Sequence, residues 1–262
     1  TTLLGEGLQH QDGHSQLLAS TVPAVRSYDP AFAYETALII RDGIHRMFPD
    51  GDPLEGEDLI YYLSLYNENY PMPAMPDGVG TGVIAGLYRY LPAPEVAGPA
   101  ATVLFSGTSW LAADQARREL AEKYGVGVEL WSATSYQRLR SQALEVERWN
   151  RLHPGAAPLV PWVTEQLAVA SGPIVAVSDW MRAVPDQISR WVPGRYVSLG
   201  TDGYGRSDTR EALRRHFETD APHVVLAVLS ELVAEGALAR AALPDAIARY
   251  GLATDTISPW SI

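Results

Sequence analysis

The chain has 262 residues, a net charge of −11, a hydrophobic fraction of 47% and no cysteine. That length suits one large domain or two ordinary ones, and the missing cysteine excludes disulfides, thiolate metal sites and a cysteine nucleophile while fitting a reducing cytoplasm. The acidic balance, with Lys123 the single lysine, argues against nucleic acid, which needs clustered basic side chains, and no apolar run approaches the roughly 18 residues of a membrane span.

The opening stretch Gly5–Gln16, GEGLQHQDGHSQ, packs two histidines, two acids and three glycines into twelve residues. His10 and His14 are four apart, a spacing that could hold zinc on one face of a helix. Gly5, Gly7 and Gly13 disfavour that helix, and no third ligand lies nearby. What remains is a polar loop turning at Asp12-Gly13, or a functional loop whose glycines let the backbone approach a ligand. The first residue is Thr1, not Met, and a motif-like stretch begins at once. Both features predict a piece of a longer chain, with processing as the alternative.

Ala24–Tyr28 predicts a short strand. Asp29-Pro30 reads as a helix start, Asp as N-cap and Pro at the first helical position. Ala31–Met47 carries Tyr34, Leu38 and Arg41 at helical spacing. Leu59–Leu65 predicts a buried strand from its β-branched and aromatic content. Asn67–Pro76 follows as a proline-broken loop at a strand's carboxyl end, where α/β proteins place ligands. Pro92, Pro94, Gly98 and Pro99 mark a linker.

Beyond it, strands are expected at Ala101–Ser106, Val126–Trp131, Pro173–Ser178 and Tyr196–Leu199. Helices are expected at Leu111–Tyr124, Leu139–Asn150, Trp180–Trp191, Thr209–Phe217, Pro222–Ala234 and Pro244–Tyr250. Alternating strands and helices predict the α/β class with a mostly parallel sheet covered on both faces. Gly200–Asp208 joins a strand to a helix but matches no phosphate-binding glycine motif. Asp208 and Glu211 read as a D-x-x-E capping pair, which puts an acid where a phosphate would sit. His45, His153, His216 and His223 read as structural or solvated.

GEGLQHQDGHS, SYDPAFAYE, NENYPMPAMP, YGVGVELWSATS, ERWNRLHP and LGTDGYGRSDTREALRRHFE, in that order, resemble the homodimeric type of pyruvate dehydrogenase. The resemblance covers essentially the whole chain and implies the C-terminal third of such an enzyme. Residues 1–92 would end a transketolase-like pyrimidine-binding domain, 93–99 would be a linker, and 100–262 would form the C-terminal transketolase-like domain. The family decarboxylates pyruvate on thiamine diphosphate with Mg2+. It then reductively acetylates the lipoyl group of a dihydrolipoyl acetyltransferase, working as a cytoplasmic homodimer.

His10 aligns with the histidine that the family places in its active centre, and Glu6 with an acid near it. Asp12 and His14 lie where the wider transketolase group puts substrate-side polar groups. The family's metal-binding GDG motif with its following Asn is not supplied; the DG pairs at Asp12, Asp42, Asp77 and Asp202 lack its context. The glutamate that activates the aminopyrimidine ring also lies outside these residues, so most cofactor ligands would come from elsewhere. Two alternatives stand beside this reading: a structural, dimerising and docking module only, or a transketolase-like enzyme of other specificity. Calorimetry of the isolated chain with thiamine diphosphate and magnesium should therefore show weak binding or none; micromolar affinity would contradict it.

Overall fold

The computed structural model describes residues 7, 9–49 and 55–261. Two parallel strands, β1 (Val25–Tyr28) and β2 (Ile60–Leu63), pair in register from Val25↔Ile60 to Tyr28↔Leu63. The helix α2 (Ala33–Met47) connects them, the crossover that parallel pairing requires. A short helix, α1 (Ser15–Ala19), precedes this unit, and α3 (Gly80–Ala85) follows it.

The second sheet has five strands in the order β3-β5-β4-β6-β7. They are β3 (Tyr88–Leu91), β4 (Ala100–Phe105), β5 (Gly127–Ser132), β6 (Ile174–Val177) and β7 (Tyr196–Leu199). Only β3 runs antiparallel; the other pairings are parallel. Every residue of β5 and β6 is buried, and all of β4 except Ala100. Such continuously buried, mostly apolar runs suit parallel strands covered on both faces.

Side chains alternate across this sheet. Ala101, Val103 and Phe105 of β4 point to one core with α4 (Trp110–Tyr124) and α8 (Ala221–Ala234). Leu104 points to the other with Trp131, α5 (Tyr136–Leu152), α6 (Trp162–Leu167) and the 3-10 segment Pro185–Trp191. Two further helices, α7 (Arg210–His216) and α9 (Ala242–Tyr250), complete the chain's regular structure among the described residues, apart from short 3-10 turns.

Glu35 joins the two sheets. It sits in the first turn of α2 and is completely buried. Its carboxylate accepts from the amides of Ala31 (2.5 Å) and Phe32 (3.0 Å), from Tyr88 Oη of β3 (2.5 Å) and from Ser132 Oγ of β5 (2.6 Å). Burial pushes its carboxyl above the ordinary range, opposed by these donors.

This arrangement corrects the expected helix start. The helix begins at Ala33, after Phe32 in extended conformation, and Asp29 caps nothing. Glu35 reaches back to the amides that a cap would have served, which frees Asp29 for another role. At α7 the cap is Thr209, whose hydroxyl accepts from the Ala212 amide (3.2 Å), and not Asp208. Asp208 stands one residue outside and accepts from the Thr209 amide (2.7 Å).

Two further expectations fail. Leu59–Leu65 is not a buried strand: Ile60 is 60% and Leu65 75% exposed. Among the described residues β2 pairs only with β1, so its composition reflects strand propensity rather than burial. Trp180–Trp191 is not an α-helix; Pro185 has no amide to donate, and only the 3-10 segment Pro185–Trp191 forms. Helices α1, α3 and α6 and strand β3 went unpredicted. Strand β3 lies ahead of the Pro92–Pro99 segment yet hydrogen-bonds into the second sheet.

Replacing Glu35 with Ala strands several buried donors, each costing about 1–3 kcal/mol. Urea denaturation of Glu35→Ala should show a loss of at least about 3 kcal/mol. Glu57→Ala, which breaks an exposed ion pair with Arg46 (3.0 Å), should change stability by less than about 1 kcal/mol.

Candidate functional site

The carboxyl ends of strands from both sheets meet at one place. Asp29 follows β1, Tyr66 follows β2, Ser106 and Gly107 follow β4, Thr134 follows β5, and Ser178, Asp179 and Trp180 follow β6. Crevices outside the carboxyl ends of strands are the usual ligand positions in α/β folds. Here the crevice is a cleft of about 360 Å3, lined by Gly7, His10, Gln11 and Asp12, by residues 62–67, and by Asp179 and Trp180.

The opening loop forms one wall of this cleft and is pinned from outside. The Gly13 carbonyl accepts from the Met181 amide (2.9 Å). A Cβ on Gly13 would lie 3.1 Å from the Thr201 carbonyl oxygen. Gln11 Oε1 accepts from the Arg206 amide (2.9 Å). Gly7 has φ +69°, and a Cβ there would fall 2.2 Å from Ser207 Oγ. Gly7, Gln11 and Gly13 of the opening stretch are thus held by the Gly200–Asp208 stretch and by Met181. Gln16 anchors the other end, donating from Nε2 to the Tyr28 carbonyl (3.0 Å) and Ser64 Oγ (2.6 Å).

His10 is exposed and lines the cleft, together with Asp12. The Asp12 carboxylate accepts from the amides of His14 (2.8 Å) and Ser15 (3.0 Å), starting α1. Partial burial pushes its carboxyl up, but these bonds and the Ser15 hydroxyl hold it below the ordinary range. His14 occupies the position before α1, is exposed, and does not line the cleft. Glu6 lies outside the described residues. So the cleft brings His10 and Asp12 together and leaves His14 aside. Among the described residues no three or more His, Asp or Glu side chains are grouped to hold a metal ion.

Behind the cleft lies a polar set that the sequence did not reveal. Asp29 is 5% exposed. Its Oδ1 accepts from Tyr66 Oη (2.5 Å), and Tyr66 Oη accepts from Trp180 Nε1 (3.2 Å). The Asp29 amide donates to the Thr134 carbonyl (2.8 Å), and its carbonyl accepts from the Gly107 amide (3.1 Å). Oδ2 has no partner meeting hydrogen-bond geometry among the described residues. Burial pushes the Asp29 carboxyl up to about 6, opposed by neighbouring hydroxyl and indole donors and aided by the nearby Asp179. The one available signal was position: Tyr66 adjoins the loop at the end of β2, and Ser178-Asp179-Trp180 ends β6.

The Asn67–Pro76 loop is also tied down. Glu68 pairs with Arg214 of α7, both side chains mostly buried. Arg214 lines a second cleft of about 450 Å3 with Thr108, Gln115, Arg215 and Thr219. Asp179 borders both clefts.

Residues 1–73 match the family model described as "Pyruvate dehydrogenase E1 component middle domain", and residues 86–220 match "Transketolase-like TK C-terminal domain". The chain is 49% identical to the pyruvate dehydrogenase E1 component of Mycolicibacterium smegmatis, over 95% of this chain and 27% of that protein. It is 45% identical to that of Pseudomonas aeruginosa, over 99% and 29%, and 43% identical to that of Escherichia coli K12, over 99% and 28%. The chain thus spans under a third of the length of these curated relatives. Among solved structures, a Pichia stipitis transketolase in complex with sedoheptulose-7-phosphate superposes with TM-score 0.60 at 15% identity, covering 99% of this chain and 30% of that one. Leishmania mexicana transketolase gives 0.58 at 16% identity, covering 87% and 28%. At such identities these structures establish the fold alone.

The raised carboxyl of Asp29 has a definite sign in stability. The folded state binds the proton more tightly than the unfolded chain, whose Asp titrates near about 3.9. The stabilising contribution is therefore full below about pH 4 and lost as pH rises to about 6. Asp29→Asn should remove that slope. By urea denaturation at pH 7 the variant should exceed the parent by up to about 3 kcal/mol, with the gap closing toward pH 4. A gap that does not vary with pH would contradict this account.

Proposed function

The chain belongs to the family of transketolase-like C-terminal domains, and on that premise we propose that it is part of a pyruvate dehydrogenase. The whole enzyme decarboxylates pyruvate on thiamine diphosphate and reductively acetylates the lipoyl group of a dihydrolipoyl acetyltransferase. The observation that carries this reading is 43–49% identity, over nearly the whole chain, to relatives named pyruvate dehydrogenase E1 component. The proposed division ends a pyrimidine-binding domain at 92, with 93–99 a linker and 100–262 the C-terminal domain, while β3 ahead of the linker already pairs into the second sheet. The intact protein works as a cytoplasmic homodimer.

Thiamine diphosphate would supply the carbanion chemistry when bound. The sequence does not supply the family's metal-binding GDG motif with its following Asn, so in this reading metal and diphosphate would be held by residues outside this chain. What this chain contributes is the cleft wall. An imidazole can donate or accept a proton in the neutral range, and His10 lines the cleft. In this reading His10 donates a proton or a hydrogen bond to substrate oxygens, or binds the substrate carboxylate. Asp12 stands on the same loop. The Asp12 carboxylate is occupied by the His14 and Ser15 amides, so its part is to hold the loop in shape.

A second reading, as a structural, dimerising and docking module, is favoured by the outer face of α2. There Ile40 and Ile44, with Phe48 just beyond the helix, stay exposed at helical spacing, an apolar stripe of the kind that partners cover.

The test is His10→Ala in the full-length enzyme. Turnover of pyruvate should fall by at least about tenfold, since positioned acid–base groups are worth roughly 10²–10⁴, while folding and dimerisation survive. In the chain alone the same change should alter stability by no more than about 0.5 kcal/mol, as an exposed loop residue does. Full-length His10→Ala with unchanged turnover would remove His10 from the site.

A further inference from the structure

We propose that Tyr66 is a positioning residue of the His10 cleft, locked by Asp29 and Trp180 across the seam between the two sheets. The proposal deepens the reading of that cleft and rests on it.

Three observations converge. Tyr66 lines the cleft with His10 and is half-buried. Its hydroxyl is engaged on both sides, donating to Asp29 Oδ1 and accepting from Trp180 Nε1. An exposed aromatic wall would swing about χ1; with its hydroxyl held from two sides this one has a single orientation. The second observation is Gly107, with φ +49°. A Cβ there would stand 2.6 Å from both Cε2 and Oη of Tyr66. The glycine is what lets a ring from the first sheet reach into the second. The third is the origin of the parts: Tyr66 follows β2, Asp29 follows β1, Gly107 follows β4 and Trp180 follows β6. The lock therefore holds only when the two sheets are in their mutual place, and it transmits that alignment to the cleft wall.

The acid of this lock has no hydrogen bond or ion pair to a basic side chain among the described residues. The titratable groups that bear on it are Tyr66 and Tyr70 from the segment after β2, Tyr136 of α5, and Asp179 after β6. None of these groups forms a cation; His10, an imidazole, lines the same cleft as Tyr66 and Asp179. Ionisation of Asp29 changes the strength of the Tyr66 bond, because a charged acceptor binds a phenol more tightly than a neutral one. The lock is consequently tighter above the titration of Asp29 than below it.

Two measurements on the full-length enzyme test this. The first needs no turnover. With 13Cζ-labelled tyrosine, the Tyr66 resonance, identified by its loss in Tyr66→Phe, should shift between pH 5 and 7. The shift should vanish in Asp29→Asn. The second is kinetic. Tyr66→Phe should lower kcat for pyruvate at least about fivefold with KM within twofold, the pattern of lost orientation rather than lost affinity. Asp29→Leu should match it, and the double variant should be no worse than either single one. Asp29→Asn, which keeps an acceptor for the phenol, should recover most of that loss at pH 7.

A Tyr66 resonance that ignores pH while Asp29 is present would overturn the lock. Losses in Tyr66→Phe and Asp29→Leu that simply multiply would overturn the positioning role. A parent enzyme that does not turn over pyruvate would sink the functional reading, and the resonance would still decide the lock.

Discussion

The carboxylate of Glu35 is the knot of the molecule. A charge taken so far from water costs several kcal/mol unless it is fully satisfied. Here the satisfaction comes from two amides ahead of α2, one phenol on β3 and one hydroxyl on β5. Each donor is useful only if the others are in place. The start of α2, the antiparallel edge of the second sheet and the strand beside it are therefore fixed together. Tyr34 extends the set through its hydroxyl contact with Tyr88 (2.6 Å).

Six residues upstream, Asp29 is in the opposite condition. It has one oxygen engaged and one without a partner among the described residues. Natural structures rarely leave buried polar groups short of partners, and the exceptions cluster where a site is at work. Glu35 fixes the backbone that delivers Asp29 to the seam, and the tension at Asp29 then faces the cleft that His10 lines. A satisfied acid makes the frame and an unsatisfied one lies beneath the site. The likeness to pyruvate dehydrogenase E1 components runs across both sheets, so frame and site belong to the same shared region.

The parallel strands of the second sheet were legible because they are mostly apolar runs such as Ala101–Ser106, of the kind a doubly covered parallel sheet uses; the antiparallel β3 was not. The long helices α4 and α8 were legible by periodicity. Helices α1, α3 and α6 were not, since five or six residues complete too few turns to establish a period. The caps were misplaced where two suitable residues compete: Asp29 with Glu35, Asp208 with Thr209. At the site, the opening loop announced itself by its glycines, histidines and acids, and His10 with Asp12 does line a cleft. Asp29, Tyr66 and Trp180 gave no signal of this grouping beyond their positions after strands. Their hydrogen bonds join residues 37 and 114 positions apart, and nothing short of the fold brings them together.

The clasp between the two glycine-rich loops bears on how the protein comes into being. Gln11 and Arg206 are 195 positions apart, so their contact closes a very long loop. Contacts of that span cannot form until the intervening chain is ordered, because the entropy of closing so long a loop is repaid only by neighbours already in place. During synthesis, the residues around His10 leave the ribosome before the segment that will hold them, and wait for it. The cleft is thus a late product of folding: a chain stalled or cut before Arg206 has its histidine and lacks the wall that gives it an address.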